Sequence, residues 1–173
     1  MNFAELGVPA GLSALLAEQG ITVPTPIQTA TLPDSLAGRD AFLLPLVARL
    51  DASKMPAMPG KPRALILAPT RELVNQLKEA LLPLANSAGL KVQTVFGGVS
   101  QGPQVTAMRR GVDIVVAAPG RLEDLMGQGH INLSAVEITI LDEADHMADL
   151  GFLPGVKRIM DKTPQNGQRL LFS

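Results

Sequence analysis

Three acidic side chains within four residues are the strongest chemical signal in the sequence. They lie between Asp142 and Asp145, directly after the apolar run Ile138–Leu141. Carboxylates at the end of a buried strand are costly unless a cation or hydrogen bonds compensate them. Asp142 would hold Mg²⁺ through its water shell, and Glu143 would deprotonate a water that attacks a phosphate. The alternative is a solvated acidic turn that opens a helix, where carboxylates suit the helix dipole.

Two short segments stand where a predicted strand turns into a helix: Pro69, Thr70 and Arg71 in one, and Pro119, Gly120 and Arg121 in the other. Helix N-termini offer free N–H groups that suit phosphates, and an arginine adds a charge-assisted hydrogen bond. Gly97 and Gly98 follow a further strand and let a sugar–phosphate backbone come close, because no Cβ intervenes. These features predict contacts with the phosphates and sugars of a nucleic-acid backbone. The alternative is structural: each arginine pairs with an acid such as Glu72 or Glu123.

The elements that position these residues alternate along the chain. Apolar patterns predict strands over 64–68, 92–96, 113–117 and 138–141 and the start of one at 170–172; they predict helices over 8–19, 24–36, 42–50, 71–87, 103–110, 120–126 and 154–160. Strand and helix alternating with short loops indicate an α/β fold, a parallel sheet with helices on both faces. Ligands bind such sheets at the carboxyl ends of the strands. The acidic and arginine segments all follow strands directly.

Composition limits the function further. The chain has 173 residues, 46% hydrophobic but only 3% aromatic, which fits one domain with an aliphatic core. It has no cysteine, which excludes disulfides, and its two histidines lack a zinc-ligand spacing. A net charge of −1 means that nucleic-acid contact must come from a few placed groups. With no signal peptide or membrane-spanning run in the sequence, we expect a cytoplasmic protein without membrane contact.

Five segments in a fixed order carry a family resemblance. They are Pro24-Thr25-Pro26-Ile27-Gln28, Pro69-Thr70-Arg71-Glu72-Leu73, Gly97-Gly98, Ala118-Pro119-Gly120-Arg121, and Asp142-Glu143-Ala144-Asp145, the last continued by Met147, Asp149, Gly151 and Phe152. They resemble the Q motif, motif Ia, the paired glycines, motif Ib and the DEAD box of DEAD-box ATP-dependent RNA helicases; Ala118 stands where threonine is usual. The resemblance implies a single RecA-like domain, the first of such a helicase, with a Q-motif region at 1–36 and a core at 37–173.

The resemblance also implies a site for ATP and Mg²⁺, to which Asp145 contributes beside its two acidic neighbours. An amide such as Gln28 can accept from adenine N6 and donate to N7, which selects adenine. Phe3 would brace this region, or it is simply a core phenylalanine. Ile21 and Val23 stand where the family commonly has an aromatic and a basic residue. Adenine would therefore be covered by apolar contact alone, which weakens its binding.

One motif of the family is missing from the sequence. A phosphate-cradling G-x-x-x-x-G-K-[ST] loop should follow the first strand. The sequence contains no such loop: its one Gly-Lys pair, Gly60-Lys61, has Met55 where the first glycine belongs and Pro62 where the hydroxyl residue belongs. This pair also has no predicted strand before it.

The segments typical of the sequence before and after that loop are joined directly at Asp40–Ala41. A strand and loop of about a dozen residues would fill the gap, judged from the length of the motif and of a short strand. Removing a strand from inside a parallel sheet would break its ladder. We therefore expect the parent protein to contain this segment in a disordered state; a deliberate or natural deletion is the alternative.

The resemblance implies a parent protein that binds ATP·Mg²⁺ and RNA between this domain and a C-terminal RecA-like domain. Such a protein would separate short RNA duplexes locally. The first alternative is an RNA-binding RecA-like module that has lost ATPase activity with its phosphate loop. The second is a helicase relative that acts on DNA.

Overall fold

In the computed structural model, which describes residues 40–172, five parallel strands form one sheet. The strands are β1 (Ala64–Leu67), β2 (Val92–Val95), β3 (Ile114–Ala117), β4 (Ile138–Leu141) and β5 (Gln168–Leu171). Their spatial order is β2-β3-β1-β4-β5, and every neighbouring pair is parallel. The α/β fold with a parallel sheet is confirmed.

Six helices and one 3₁₀ turn connect the described strands. They are α1 (Asp40–Ser53), α2 (Arg71–Ser87), α3 (Gly102–Arg110), α4 (Pro119–Gly127), α5 (Ala144–Asp149) and α6 (Leu153–Asp161), with the 3₁₀ turn at Leu133–Ala135. The sequence predicted five of these helices within a few residues but neither α5 nor the 3₁₀ turn. None of the helices in this part of the chain is long and apolar enough to cross a membrane.

Alternate side chains of each central strand enter two separate hydrophobic clusters. On β1, Leu65 and Leu67 pack with residues of α3, α4, α5 and α6 on one face. Ala64 and Ile66 pack with residues of α1 and α2 on the other face. All four residues of β1, β3 and β4 are buried, which explains why these strands are apolar at every position except Thr139 rather than alternating between apolar and polar residues.

Helix α1 passes directly through the junction at which a segment was expected. Asp40 and Ala41 are consecutive residues in its first turn. This chain therefore has no residues between Asp40 and Ala41, and whether a parent protein carries the expected segment stays a prediction. The ladder from β2 to β5 is also uninterrupted, so no strand is missing between any two of the five. Further along α1, the ring of Phe42 packs against that of Phe172, with centroids 4.5 Å apart.

A buried arginine ties α1 to the amino ends of three strands. Arg63 is only 4% exposed. Its Nε donates to Glu137 at 3.1 Å, and its Nη1 lies 3.6 Å from a carboxylate oxygen of Asp113. Its Nη2 donates to the carbonyl of Leu50 at 2.9 Å and to the hydroxyl of Ser53. The guanidinium thus joins the last turn of α1 to residues that precede β1, β3 and β4.

We predict that Arg63→Met lowers the free energy of unfolding by about 3 kcal/mol, because it leaves the buried carboxylate of Asp113 without its cation. The matched control is Arg49→Met, since Arg49 is exposed and, among residues 40–172, its side chain donates to Gln168 alone. We expect that variant to change stability by less than about 0.5 kcal/mol. Urea unfolding followed by circular dichroism measures both, and equal losses in the two variants would contradict the role given to Arg63.

Candidate nucleic-acid interface and acidic site

The predicted site segments lie side by side at the carboxyl edge of the sheet. Backbone bonds continue the ladder past the strand ends, from Ala118 N to the Val95 carbonyl at 2.9 Å and from Ala68 N to the Ala117 carbonyl at 3.0 Å. Asp142 N likewise donates to the carbonyl that ends β1, at 2.9 Å. The structure therefore brings together the segments that follow β2, β3 and β1. The acidic segment follows β4 and lies next to them.

Arg71 is fixed at the start of α2 by two interactions. Thr70 caps the helix: its backbone is extended, and its hydroxyl accepts from Leu73 N at 3.2 Å. The exposed Arg71 guanidinium then lies over the ring of Phe96, 5.0 Å from the centroid. A cation above an aromatic face is attracted by the ring quadrupole and keeps its charge. Phe96, which sequence reasoning did not single out, is thus part of the site.

The paired glycines differ in whether their backbone conformation requires glycine. Gly98 has a φ of +80°, a conformation that other residues rarely adopt, and a Cβ built on it would lie 4.0 Å from Arg71 Nη1. Gly97 has ordinary φ and open space around it. Both are exposed. Glycine at 98 is therefore needed for the turn, and the two together leave the backbone beside Arg71 accessible.

Arg121 is held by neutral acceptors rather than by an acid. Its Nη2 donates to the carbonyl of Val99 at 2.9 Å and its Nη1 to the side-chain oxygen of Gln104 at 3.4 Å. Glu123 instead pairs with Arg158 at 2.7 Å. Within residues 40–172, neither Arg121 nor the arginine that opens α2 forms an ion pair, so acidic pairing does not account for them.

Helix α4 begins without a side-chain cap. Ala118 occupies the cap position with extended φ and ψ of −88° and 143°, but it has no oxygen to accept from the first turn. Pro119 follows as the first helical residue and is buried, whereas Gly120 is exposed and would admit a Cβ without contact. The N–H groups at the start of α4 therefore lack the side-chain acceptor that Thr70 gives to α2.

The acidic residues after β4 occupy three different environments. Asp142 is 6% exposed, and its Oδ1 accepts from Glu143 N at 3.0 Å. Glu143 is half-buried with φ and ψ of 48° and 51°, a left-handed conformation that costs a non-glycine residue on the order of 1 kcal/mol. Its carboxylate lies 3.3 Å from His146 Nδ1. Asp145 is exposed in the first turn of α5. A solvated helix start thus describes Asp145 but not Asp142.

The candidate metal ligands do not form a complete metal site by themselves. In the part of the chain that the structure describes, no group of three or more histidine and acidic side chains could hold a metal ion. Asp142 offers the hard oxygen that Mg²⁺ prefers, but the remaining ligands would have to be waters and phosphate oxygens. Phe3, Ile21, Val23 and Gln28, which were predicted to contact adenine, lie outside the described residues, and their roles stay predictions.

Comparison with known proteins gives a consistent result. Residues 25–173 match the family model described as DEAD/DEAH box helicase. The chain is 40% identical to the RNA helicase CrhR of Synechocystis, over 99% of this chain and 36% of that protein. It is 37% identical to DEAD-box ATP-dependent RNA helicase 20 of Oryza sativa, over 99% of this chain and 37% of that protein. The chain thus spans about a third of the length of these relatives.

A solved structure and the alignment lengths add two points. The crystal structure of a hypothetical ATP-dependent RNA helicase from Sulfolobus tokodaii superposes with a TM-score of 0.69 at 31% identity, covering 96% of this chain and 50% of that one. The alignments to the two relatives above extend over 185 positions, 12 more than the 173 residues of the chain. Each relative therefore has at least 12 residues in the matched region that this chain lacks.

We predict that Ala118→Thr raises the free energy of unfolding by about 1 kcal/mol, since its hydroxyl would cap α4 as Thr70 caps α2. The reciprocal variant, Thr70→Ala, should lower it by about the same amount. Both are measured by urea unfolding under identical conditions. A loss of stability in Ala118→Thr would show that the start of α4 cannot accept a capping side chain.

Proposed function

The chain belongs to the DEAD/DEAH box helicase family, and on this premise we propose that it is the N-terminal RecA-like domain of an ATP-dependent RNA helicase that binds the RNA backbone. The observation that carries the proposal is the position of Arg71, Gly98 and Arg121 at the carboxyl ends of three adjacent strands. Both arginines keep their charge available, because their partners are a ring, an amide and a carbonyl. The relatives described above bear the name RNA helicase.

The spacing of the three segments suits one strand of nucleic acid. Neighbouring strands of a sheet lie about 4.8 Å apart, so β2, β3 and β1 span on the order of 10 Å. The uncapped start of α4 offers N–H groups to a phosphate, and Arg121 stands in the same turn. Gly97 and Gly98 leave room for the sugar beside Arg71. Contacts of this kind read the backbone and the 2′-hydroxyl group rather than the base sequence.

We predict that Arg71→Ala and Arg121→Ala each weaken binding of a short single-stranded oligouridylate about tenfold, the worth of a hydrogen bond to a charged group. Each should also reduce the dependence of log affinity on log salt by about 0.7, the value for one phosphate contact on a single strand. Fluorescence anisotropy at several salt concentrations measures both quantities.

The matched control for these variants is Arg109→Ala, which removes the same charge from an exposed arginine at the end of α3. We expect it to change the affinity less than about twofold, since long-range effects of exposed charges are screened. Equal losses in all three variants would mean that only net charge matters. Equal affinity for the matching oligodeoxynucleotide would instead favour the alternative of a DNA-acting relative.

The residues of this chain provide one candidate ligand for Mg²⁺. They provide no loop that could hold the triphosphate of ATP. Asp142 is a buried carboxylate suited to a water-mediated Mg²⁺ contact. Yet the sequence has no phosphate-cradling loop, and α1 begins at Asp40, where the family resemblance locates that loop. We derive no hydrolysis step for this chain. In a parent protein that carries the loop, ATP·Mg²⁺ would supply the phosphoryl group, and Glu143 is our candidate for the base.

A second candidate function follows from the same observation. The chain would act as an RNA-binding RecA-like module without ATPase activity, because nucleotide affinity in this fold comes largely from backbone N–H groups and a lysine around the β-phosphate. The continuous helix across Asp40–Ala41 favours this candidate for the chain as it stands. The RNA-contact segments follow other strands, so RNA binding does not depend on the missing loop.

We predict that the 173-residue chain shows no saturable binding of ATP or ADP with Mg²⁺ at millimolar nucleotide, measured by calorimetry. The matched comparison inserts at the Asp40–Ala41 junction a short strand followed by a phosphate-cradling G-x-x-x-x-G-K-[ST] loop. That insertion should restore binding, because it returns the phosphate-contacting N–H groups and lysine. Saturable binding by the uninserted chain would mean that another segment holds the phosphates.

In the insertion variant, or in a full-length parent protein, we predict that Glu143→Gln preserves nucleotide and RNA binding. Turnover should fall by about 10²–10⁴, the usual contribution of a positioned base. The measurement is RNA-stimulated phosphate release, with Glu79→Gln as a control at an exposed carboxylate of α2 outside the named motifs. Unchanged turnover in Glu143→Gln would remove this residue as the base.

A further inference from the structure

Gln104 stands out among the amide side chains of the protein. It lies in the first turn of α3 and is 5% exposed. Across residues 40–172 it is the one asparagine or glutamine that is buried. A buried amide is costly unless its donor and acceptor are both used. No motif found in the sequence includes this residue, so its burial needs an explanation from its contacts.

Both ends of the Gln104 amide contact the RNA-binding surface proposed above. Its Nε2 donates to the carbonyl of Phe96 at 3.0 Å, and its Oε1 accepts from Arg121 Nη1 at 3.4 Å. The orientation of the amide follows from chemistry, because a backbone carbonyl only accepts and a guanidinium only donates. Gln104 is therefore a bridge between the residue before the paired glycines and the arginine of α4.

The bridge completes a continuous set of contacts through the surface. The ring of Phe96 lies beneath Arg71, and its carbonyl is bound by Gln104. Arg121, bound by Gln104, also donates to the carbonyl of Val99 on the far side of the glycines. The turn that contains Gly97 and Gly98 is thus held at both ends, and each arginine is linked to it.

We infer that Gln104 is a positioning residue for RNA binding: it fixes Arg121 against the glycine turn in the orientation that meets a phosphate. This inference rests on the proposed function, which it deepens. A neutral amide suits the task better than a carboxylate, because it orients the guanidinium without neutralising it. The two acceptors that hold Arg121 leave its remaining N–H donors for a ligand.

The test is a double-mutant cycle between Gln104→Met and Arg121→Ala on the 173-residue chain. Methionine has a similar volume and neither hydrogen-bonding group, so Arg121 loses its bridge. We expect Gln104→Met to weaken oligouridylate binding about three- to tenfold, the range for one hydrogen bond, and to lower the salt dependence towards that of Arg121→Ala. In the Arg121→Ala background the same change should cost less than about twofold, since its effect acts through Arg121.

The matched control is Gln101→Met, the same substitution three positions earlier. The amide of Gln101 exchanges hydrogen bonds with that of Gln128 and, within residues 40–172, makes no side-chain hydrogen bond to a residue of the proposed surface. We expect this variant to bind RNA like the wild type. Thermal melts of every variant establish that binding is measured on folded protein.

Two results would overturn the inference. In the first, the fold-losses of RNA affinity from Gln104→Met and Arg121→Ala multiply in the double variant. That result would mean that the two residues act independently. Wild-type affinity and salt dependence in folded Gln104→Met would mean that Arg121 needs no bridge. If the folded wild-type chain binds no RNA, the proposed function fails and the inference with it; if Arg121→Ala weakens binding and Gln104→Met does not, only the inference fails.

A second variant covers the case in which Gln104→Met melts below the assay temperature. Gln104→Asn keeps a buried amide but shortens it by one methylene, so it cannot reach both the Phe96 carbonyl and Arg121. We expect reduced affinity and reduced salt dependence, as in the methionine variant. Wild-type values for both in Gln104→Asn would contradict the role assigned to Gln104.

Discussion

Burial of a parallel sheet on both faces is the constraint on which the rest of this structure depends. Side chains of β1, β3 and β4 are buried throughout and none of them is charged, because a buried charge is costly unless it is paired. On these three strands charge therefore enters only where a strand ends, whereas β5 contains Arg169, which donates to the carbonyl of Met160 and to Thr163. Since all five strands are parallel, their carboxyl ends share one edge, and residues distant in sequence become neighbours there. Arg71, Arg121 and Asp142 each stand within four residues of a strand for this reason.

The two edges of the sheet use arginine in opposite ways. At the amino edge, Arg63 is buried against two carboxylates and serves to hold α1 on the strands. At the carboxyl edge, Arg71 lies on a ring and Arg121 on an amide and a carbonyl. Neutral partners orient a guanidinium without cancelling its charge, which suits it to an anionic ligand. In a chain of net charge −1, this placement explains how a few cations could bind RNA.

The spacing of apolar residues in the sequence is sufficient to predict most of the helices and strands. It does not predict which side chains from different helices and strands contact each other. Helix Arg71–Ser87 and strand Ile138–Leu141 were predicted with the bounds that the structure has, because apolar spacing and buried runs mark them clearly. Helix α5 was missed because six residues are too short to show a period. The bridge made by Gln104 could not be predicted, since it depends on where a carbonyl and a guanidinium lie in space. Whether a parent protein carries a segment at the Asp40–Ala41 junction stays a prediction, since the helix that begins at Asp40 shows only how these residues are joined in this chain.

We propose that RNA lies along the carboxyl edge of the sheet, and amide chemical-shift mapping tests this most directly. A ¹⁵N-labelled chain would be titrated with single-stranded oligouridylate and its backbone resonances followed. If RNA lies there, the largest shifts occur at Arg71, at Gly97 and Gly98, and at Gly120 and Arg121, with the segment around Arg63 unchanged. Shifts confined to the amino edge, or spread evenly over the surface, would contradict it.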